Sequence, residues 1–171
     1  MRELPGPAAN LDADDRVRQA LELAYRYLNR CDRTVEEVRR HLAGKGAEPD
    51  AVERSVEVLR EQGYLDDARY ARLFSHDKRE FDHWGTDRIA STLVRHGVER
   101  ALIEAALSER PPAEEFDRAL SLLRRRFPSP PTDRRERNRA LGVLVRKGYD
   151  PELALEALSA HARLARDPDV R

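Results

Sequence analysis

Arginines recur at matched positions of this chain, and their side chains could bind an anion. Arg88 and Arg95 lie 51 residues before Arg139 and Arg146. A guanidinium group donates several hydrogen bonds to a carboxylate or phosphate, so such a row can meet an acidic protein or a phosphate backbone. A charge run is more often only a solvated helix face. Both interpretations stay open at this point.

The basic residues are concentrated in one part of a chain without net charge. Residues 118–147 hold ten Arg or Lys against two acids, whereas residues 48–67 hold seven acids against two arginines. At about 100° per residue, the cluster of Leu141, Leu144 and Val145 in segment 133–147 lies nearly opposite Arg135, Arg139, Gly142 and Arg146. The candidate partner-binding residues are Arg88, Arg95, Arg124, Arg125, Arg126, Arg135, Arg139, Arg146 and Lys147.

The other chemistry-bearing residues form no catalytic or metal-binding pattern. Five histidines are scattered without metal-ligand spacing, and the chain has no phosphate-cradling glycine-rich loop and no Gly-x-Ser-x-Gly motif. For His76, Asp77 and His83 we favour a solvated helix end over a metal site. For Trp84 we favour a packing anchor over a platform on which bases stack. The sequence therefore predicts a protein that is not an enzyme and uses no metal or cofactor.

The composition predicts a soluble, cytoplasmic protein. The 171 residues include 32 Lys or Arg and 32 Asp or Glu. No apolar run approaches the roughly 18–20 residues that a membrane-spanning helix needs, and the first residues lack the apolar stretch of a secretory signal. Cys31 is the single cysteine, so an internal disulfide is excluded.

Apolar residues recur at helical spacing between Gly and Pro, which predicts an all-α fold of about nine helices. The first helix is expected near 13–30. The sequence Thr34-x-x-Glu37 is a capping box that begins the second helix. Asp66 is placed to cap the fourth helix.

A repeat of 51 residues organises these helices. Gly46, Gly97 and Gly148 are each suited to end a helix in the left-handed conformation. A leucine precedes each glycine by four residues, and a small or branched apolar residue precedes it by eight. These residues are Leu42, Leu93 and Leu144, and Val38, Ile89 and Ala140. Such columns in one frame indicate repeated structural units.

The repeat predicts three tandem three-helix units. A unit of about 50 residues has a marginal core of its own, so neighbouring units should share apolar surfaces in an elongated, curved array. The predicted segments are a flexible N-terminal tail at 1–12, repeats at 13–62, 63–109 and 110–166, and a C-terminal tail at 167–171.

Two motifs of this chain resemble the RecX family of bacterial recombination regulators. They are Gly63-Tyr64-Leu65-Asp66-Asp67-x-x-Tyr70-Ala71 and Gly85-x-x-Arg88-Ile89-x-x-x-Leu93-x-x-His96-Gly97-Val98. The segment Leu42-x-x-Lys45-Gly46 fits as well. The similarity is clear over about 17–109. In the third repeat it is limited to Leu144-x-x-Lys147-Gly148 and the order of the helices.

The resemblance implies three tandem three-helix modules in an elongated, curved chain, and the RecA recombinase as partner. RecX-like proteins lodge in the helical groove of the recombinase nucleoprotein filament and restrain its ATPase and strand-exchange activities, without catalytic residues of their own. They tend to present a basic face, whereas this chain is neutral overall. We therefore expect a local basic surface in repeats two and three, at most weak contact with single- or double-stranded DNA, and a monomer without membrane contact.

Two other functions compete with filament regulation. Segments 87–109 and 133–166 are helix–glycine-turn–helix units, a spacing that helix-turn-helix DNA-binding proteins use. Their second helices are rich in Ala, Leu and Glu and offer few side chains for reading base edges. A helical scaffold that binds a protein without altering its activity is the third possibility.

Overall fold

The structure, a computed structural model, describes residues 7–109 and 111–164. Within those ranges the chain forms nine α-helices and no strand, which confirms the all-α prediction. The helices are α1 (Pro7–Leu28), α2 (Val35–Gly44), α3 (Pro49–Glu61), α4 (Asp67–Glu80), α5 (Thr86–Arg95), α6 (Arg100–Ser108), α7 (Pro112–Arg126), α8 (Arg134–Lys147) and α9 (Pro151–Leu164).

The first helix begins earlier than the sequence predicts. α1 begins at Pro7, within the segment 1–12 that was expected to be a tail. Proline has no N–H to leave unpaired and its φ suits a first helical position, so this start has a local cause that the apolar spacing does not show. Residues 1–6 and the predicted C-terminal tail, 167–171, lie outside the described residues.

The chain divides into two compact units. The first consists of Met1–Tyr70 with Arg95–Glu99, and the second consists of Ala71–Val94 with Arg100–Arg171. The predicted second repeat, 63–109, therefore contributes residues to both units.

The first unit has its core among α1, α2 and α3, where Leu42 and Leu59 are fully buried. The predicted capping box begins α2: Glu37 N donates to Thr34 Oγ1 at 3.2 Å, and Thr34 N donates to Glu37 Oε2 at 3.0 Å. The predicted cap at Asp66 is also present, because its Oδ1 accepts from Arg69 N at 2.8 Å.

The second unit has a core among α7, α8 and α9 that includes the ring of Tyr149. On α8 the buried residues are Ala140 and Leu144. Val145, which the 100° spacing placed with the apolar cluster, is 45% exposed instead. The apolar side of α8 is therefore centred on Leu144 and Ala140.

The 51-residue repeat is visible in backbone and burial. Gly46, Gly97 and Gly148 have φ of +82°, +81° and +88°, the left-handed values predicted for helix ends. The residues four and eight positions before each glycine all have 0% exposure. They are Leu42, Leu93 and Leu144, and Val38, Ile89 and Ala140.

In the first unit, the Gly97 turn lies against the start of α2. Thr34 Oγ1 donates to the carbonyl oxygen of His96 at 2.5 Å, and Arg40 Nη2 donates to that of Arg95 at 3.3 Å. A Cβ at Gly97 would lie 2.3 Å from Cβ of Glu36, closer than two carbon atoms can approach. The side chains of α2 thus satisfy carbonyls at the end of α5.

In the second unit, the Gly148 turn lies against the start of α5. Gly85 N donates to the carbonyl oxygen of Lys147 at 2.8 Å, and Asp87 N donates to that of Gly148 at 3.1 Å. A Cβ at Gly148 would lie 2.3 Å from Cβ of Arg88, and one at Gly85 would lie 2.2 Å from the Gly148 carbonyl oxygen. Two glycines thus permit a close approach of main chains that brings α5 to the C-terminal end of α8.

Candidate functional site

A basic cleft lies in the second compact unit and has a volume of about 610 Å³. Five cationic side chains line it, together with the apolar residues Leu122 and Val143. The cations are Arg88, Arg125, Arg126, Arg146 and Lys147. No acidic side chain is among these lining residues, so the basic cleft suits an anionic ligand.

Helix ends position all of these cations. Arg125 and Arg126 lie in the last turn of α7, and Arg146 and Lys147 lie in the last turn of α8. A helix dipole favours cations at its C-terminal end, which gives these four a structural role. Arg88 lies in the first turn of α5, where the dipole disfavours a cation. Arg88 is therefore the member of the cleft that helix stability explains least.

Arg88 is held in place by three contacts. Its Nη1 donates to the carbonyl oxygen of Arg146 at 3.0 Å, which connects the start of α5 to the end of α8. Its guanidinium carbon lies 4.0 Å from the centre of the Trp84 ring, within the range of a cation–π interaction. Its Cβ faces Gly148. These contacts reduce the conformational freedom that Arg88 would lose on binding a ligand.

Lys147 is anchored at the rim of the cleft, since its Nζ donates to the carbonyl oxygen of Asp82 at 2.7 Å. The carboxylate of Asp82 accepts from Lys78 Nζ at 2.7 Å. This hydrogen bond, with further attraction from Lys78, Lys147 and Arg88, lowers the pKa of Asp82 despite some desolvation. Lys147 thus has a positioning role as well as a charge to offer.

Gly142, one turn before Arg146 in α8, leaves space for the Arg146 side chain. A Cβ at Gly142 would lie 3.0 Å from Arg146 Nη1, so the missing side chain leaves room for the guanidinium to lie along the helix. Arg146 is exposed, as expected for a residue on the predicted outer face of this helix.

The charge of this region acts on His83. Burial lowers its pKa first, and the nearby cations Arg125, Lys147 and Arg118 lower it further. His83 also has a positive φ, of 52°, which is uncommon for a residue other than glycine. A neutral imidazole is thus favoured beside the cationic residues.

The structure brings five of the nine predicted site residues together in the basic cleft. Arg124, Arg135 and Arg139 are exposed in the second unit but do not line the cleft. Arg95 belongs to the first unit, where its carbonyl oxygen accepts from Arg40. That any of the nine residues binds a partner stays a prediction.

The residues predicted for this site do not include Leu122, Val143 or Trp84. The first two are an apolar part of the cleft wall, and only the packing of α7 against α8 reveals them. Trp84 supports Arg88 with its ring and lies edge-on to Phe74, with ring centres 6.3 Å apart. Trp84 precedes α5, which begins at Thr86, so no helical spacing relates it to Arg88 in the sequence.

The described residues contain no group of three or more His, Cys, Asp or Glu side chains placed to hold a metal ion. Among the same residues, no helix has both the length and the apolar character required to cross a membrane.

Family models match all three predicted repeats. The model described as the first three-helix domain of RecX matches residues 20–59, the second matches 66–107 and the third matches 113–158. These matches include the third repeat, where the motif resemblance was limited.

Individual relatives and solved structures agree with these matches. A protein of Deinococcus radiodurans named "Regulatory protein RecX" is 31% identical over 94% of this chain and 76% of its own length. One of the same name from Xanthomonas axonopodis pv. citri is 35% identical over 78% of this chain and 80% of its own length. The crystal structure of RecX from Lactobacillus salivarius covers 88% of this chain and 99% of its own chain, with a TM-score of 0.77 and 20% identity. A second crystal structure, of a regulatory protein RecX, covers 92% of this chain and 80% of its own, with a TM-score of 0.79 and 24% identity.

Proposed function

Because this chain belongs to the RecX family, whose relatives are named regulatory proteins, we propose that it binds the RecA recombinase nucleoprotein filament. In this proposal it inhibits or modulates the ATPase and strand-exchange activities of the recombinase during recombination and DNA repair. It acts in the cytoplasm as a binding protein, without catalysis of its own.

The observation that supports this proposal most is the basic cleft. Five cations line it without an acidic side chain, although the whole chain has 32 basic and 32 acidic residues. A nucleoprotein filament carries phosphates and protein carboxylates, and both are anions that arginines bind well. A local cationic surface on a neutral protein favours a specific contact over general attraction to nucleic acid.

Regulation requires more than binding. The protein changes ATP turnover only if it binds one conformation of the filament more tightly than another. Repeated modules add to this effect, since contacts to successive protomers of a filament combine into a higher affinity than one contact gives.

The test measures the ATPase rate of the cognate RecA on single-stranded DNA during titration with this protein. We expect inhibition by the wild type, and a loss of affinity of about tenfold or more when Arg125, Arg126 and Arg146 are all changed to Glu, because each cation near an anion contributes on the order of 1 kcal/mol.

The matched control changes Arg124, Arg135 and Arg139 to Glu. It makes the same change in net charge at exposed positions outside the cleft. Circular dichroism verifies that both variants stay helical. Equal loss in the two variants would contradict the assignment of the cleft, and no inhibition by the wild type would contradict the proposed function.

Direct binding to DNA is the second candidate, because the same cations also suit a phosphate backbone. The helix–turn–helix pairs α5–α6 and α8–α9 would then hold the chain on a duplex. Affinity for naked duplex DNA would fall steeply with salt, with a logarithmic slope of about −0.9 for each phosphate contacted. Weak binding to naked DNA beside strong inhibition of the ATPase would favour the filament instead.

A further inference from the structure

A second cavity in the second unit is lined by hydrogen-bonding groups that have no partner in the part of the chain that the structure describes. Its volume is about 370 Å³, and we refer to it as the Tyr149 pocket. Its apolar wall includes Trp84, Leu107 and Pro111, while Tyr149 and Arg118 line another part. It is distinct from the basic cleft, with which it shares no lining residue.

Two donors in this wall are buried and unpaired. The hydroxyl of Tyr149 has no hydrogen-bond partner among the described residues, and Tyr149 is only 1% exposed. Arg118 Nη1 is also buried and has no partner among those residues, although Nη2 of the same side chain pairs with Glu80 at 2.7 Å. Burial, and to a lesser extent Glu115, raises the pKa of Tyr149 to about 12, so its hydroxyl keeps its proton at neutral pH. Because unpaired buried donors cost free energy, they indicate an absent acceptor.

The charges around the pocket decide what kind of acceptor fits. Glu115 already accepts from both N and Oγ1 of Thr86, at 2.8 and 2.7 Å. Arg118 has Glu80 and Glu114 beside it, at 2.7 and 3.8 Å. The wall also contains Arg79, whose Nη2 donates to the Leu107 carbonyl oxygen at 3.3 Å, so its two arginines and its two glutamates, Glu114 and Glu115, balance in charge. An added carboxylate would disturb this balance and meet the repulsion of the two acids. A neutral carbonyl oxygen avoids this repulsion, and its two lone pairs can accept from both donors.

We infer that the Tyr149 pocket receives an apolar side chain of the partner protein, whose adjacent main-chain carbonyl accepts from the Tyr149 hydroxyl and Arg118 Nη1. The identity of the partner rests on the proposed function, whereas the chemistry of the pocket does not. Apolar anchors in pockets often carry much of the energy of an interface. Trp84 belongs to the wall of this pocket and contacts Arg88 of the basic cleft, so one bound segment can reach both.

The first experiment titrates the full chain with N-acetyl-leucine amide and follows the fluorescence of Trp84, the single tryptophan. We expect a weak, saturable change, and weaker binding of N-acetyl-leucine, which carries a carboxylate. Tyr149→Phe removes one hydrogen bond and should lower the affinity for the amide about 2- to 10-fold. The matched control, Tyr64→Phe, changes a tyrosine that is 53% exposed in the first unit and should leave the affinity unchanged.

Three results of this titration would overturn the pocket assignment. They are no saturable change with the amide, tighter binding of the carboxylate, and equal affinity of Tyr149→Phe and wild type. The thermal unfolding of each variant shows that it is folded during the titration.

The second experiment tests the partner with Ser108→Phe, which places a large side chain at the rim of the pocket. We expect loss of the response to the amide and weaker inhibition of the RecA ATPase. Ser159→Phe, at an exposed position on α9, is the matched control. Unchanged inhibition by Ser108→Phe would overturn the assignment to the filament. Absence of inhibition by the wild type would instead contradict the proposed function, and the titration would still decide the chemistry of the pocket.

Discussion

The two compact units each hold a glycine turn against the start of a helix, but with different chemistry. In the first unit, Thr34 donates a side-chain hydrogen bond to the His96 carbonyl, and Glu37 caps the same helix start. In the second unit, main-chain N–H groups bind the carbonyls of Lys147 and Gly148. The first junction, between the Gly97 turn and the start of α2, is formed by side-chain hydrogen bonds. The second, between the Gly148 turn and the start of α5, combines main-chain hydrogen bonds with one from the Arg88 side chain.

The residue 51 positions after Glu37 is Arg88. Glu37 serves α2, because an acid at a helix start satisfies a backbone donor and agrees with the dipole. The Arg88 side chain satisfies no backbone donor of α5 and opposes its dipole, and it lines the basic cleft instead. The second junction thus has a cation at the position where the first has a capping acid, while Glu115 caps the start of α5 by accepting from Thr86 N. A cation that does not cap its own helix remains available to a ligand of the cleft.

We expect the largest loss of stability from a side chain placed at the second junction, where the Gly148 turn contacts the start of α5. Gly148→Ala requires a side chain at φ +88°, and its Cβ would lie 2.3 Å from Cβ and 2.5 Å from the main-chain nitrogen of Arg88. We expect a loss of about 2–5 kcal/mol in the free energy of unfolding, from the left-handed backbone and from overpacking. Urea unfolding followed by Trp84 fluorescence measures it in the second unit.

Gly46→Ala is the matched control for this change. It has nearly the same φ, +82°, but a Cβ there would meet no described atom within 4 Å. We therefore expect Gly46→Ala to lose only about 1–2 kcal/mol in the free energy of unfolding, from the left-handed backbone. Equal losses in the two variants would show that close contact at Gly148 contributes nothing.

The glycine turns also show how far the sequence could predict this structure. Helix order, the capping box and the left-handed glycines depend on local preferences, and the structure confirms them. The contact between Gly85 and Gly148 joins residues far apart in the chain, and no periodicity specifies which helix ends meet.

The same reason explains why only part of the site was predicted. The repeat register selected Arg88 and Arg146, and both line the basic cleft. It also selected Arg139, which shares a helix face with Arg146 but lies outside the cleft. The cleft is built from helix ends, whereas the repeat spacing predicts one continuous stripe along a helix face.

The second effect concerns alkaline pH and one tyrosine in each unit. Burial raises the pKa of Tyr70 and of Tyr149 from 10.0 to about 12. Between pH 10 and pH 12, the tyrosine hydroxyl loses its proton in the unfolded chain but keeps it in the folded chain. Stability is therefore full below pH 10 and decreases as pH rises towards 12, by at most about 1.4 kcal/mol per pH unit for each tyrosine.

Urea midpoints at several pH values from 8 to 11.5 measure this decrease in wild type and in the single Phe variants. Each variant should lose one of the two contributions and show a shallower decrease. A variant with the wild-type decrease would contradict the burial effect at that tyrosine.

A smaller effect is expected at the repeat position that holds the capping acid Glu37 in the first unit and the cation Arg88 in the second. Glu37→Ala removes the bond to Thr34 N and should lower the free energy of unfolding by about 0.5–2 kcal/mol. Arg88→Ala loses a hydrogen bond and a cation–π contact, offset by relief of a cation at a helix start, so its net change should be smaller.

The same two variants are compared for their affinity for inorganic tripolyphosphate. Isothermal calorimetry measures this affinity for both variants, and Trp84 fluorescence measures it for Glu37→Ala as well. Arg88→Ala should bind it more weakly and Glu37→Ala should bind it as the wild type does. A reversed order of stability or of affinity would contradict the view that Glu37 stabilises its helix whereas Arg88 is available to a ligand of the cleft.

The smallest effect distinguishes the two buried tyrosines at neutral pH. The hydroxyl of Tyr70 is 2.8 Å from His96 Nδ1, whereas that of Tyr149 has no partner within residues 7–109 and 111–164. Tyr70→Phe removes the hydrogen bond to His96 Nδ1 and should lower the free energy of unfolding by about 1 kcal/mol. Tyr149→Phe removes an unpaired donor and should leave stability unchanged or slightly higher. Urea unfolding at pH 7 measures both. A loss in Tyr149→Phe equal to that in Tyr70→Phe would mean that its hydroxyl is already paired in the free protein, and the Tyr149 pocket would then have no donor reserved for a ligand.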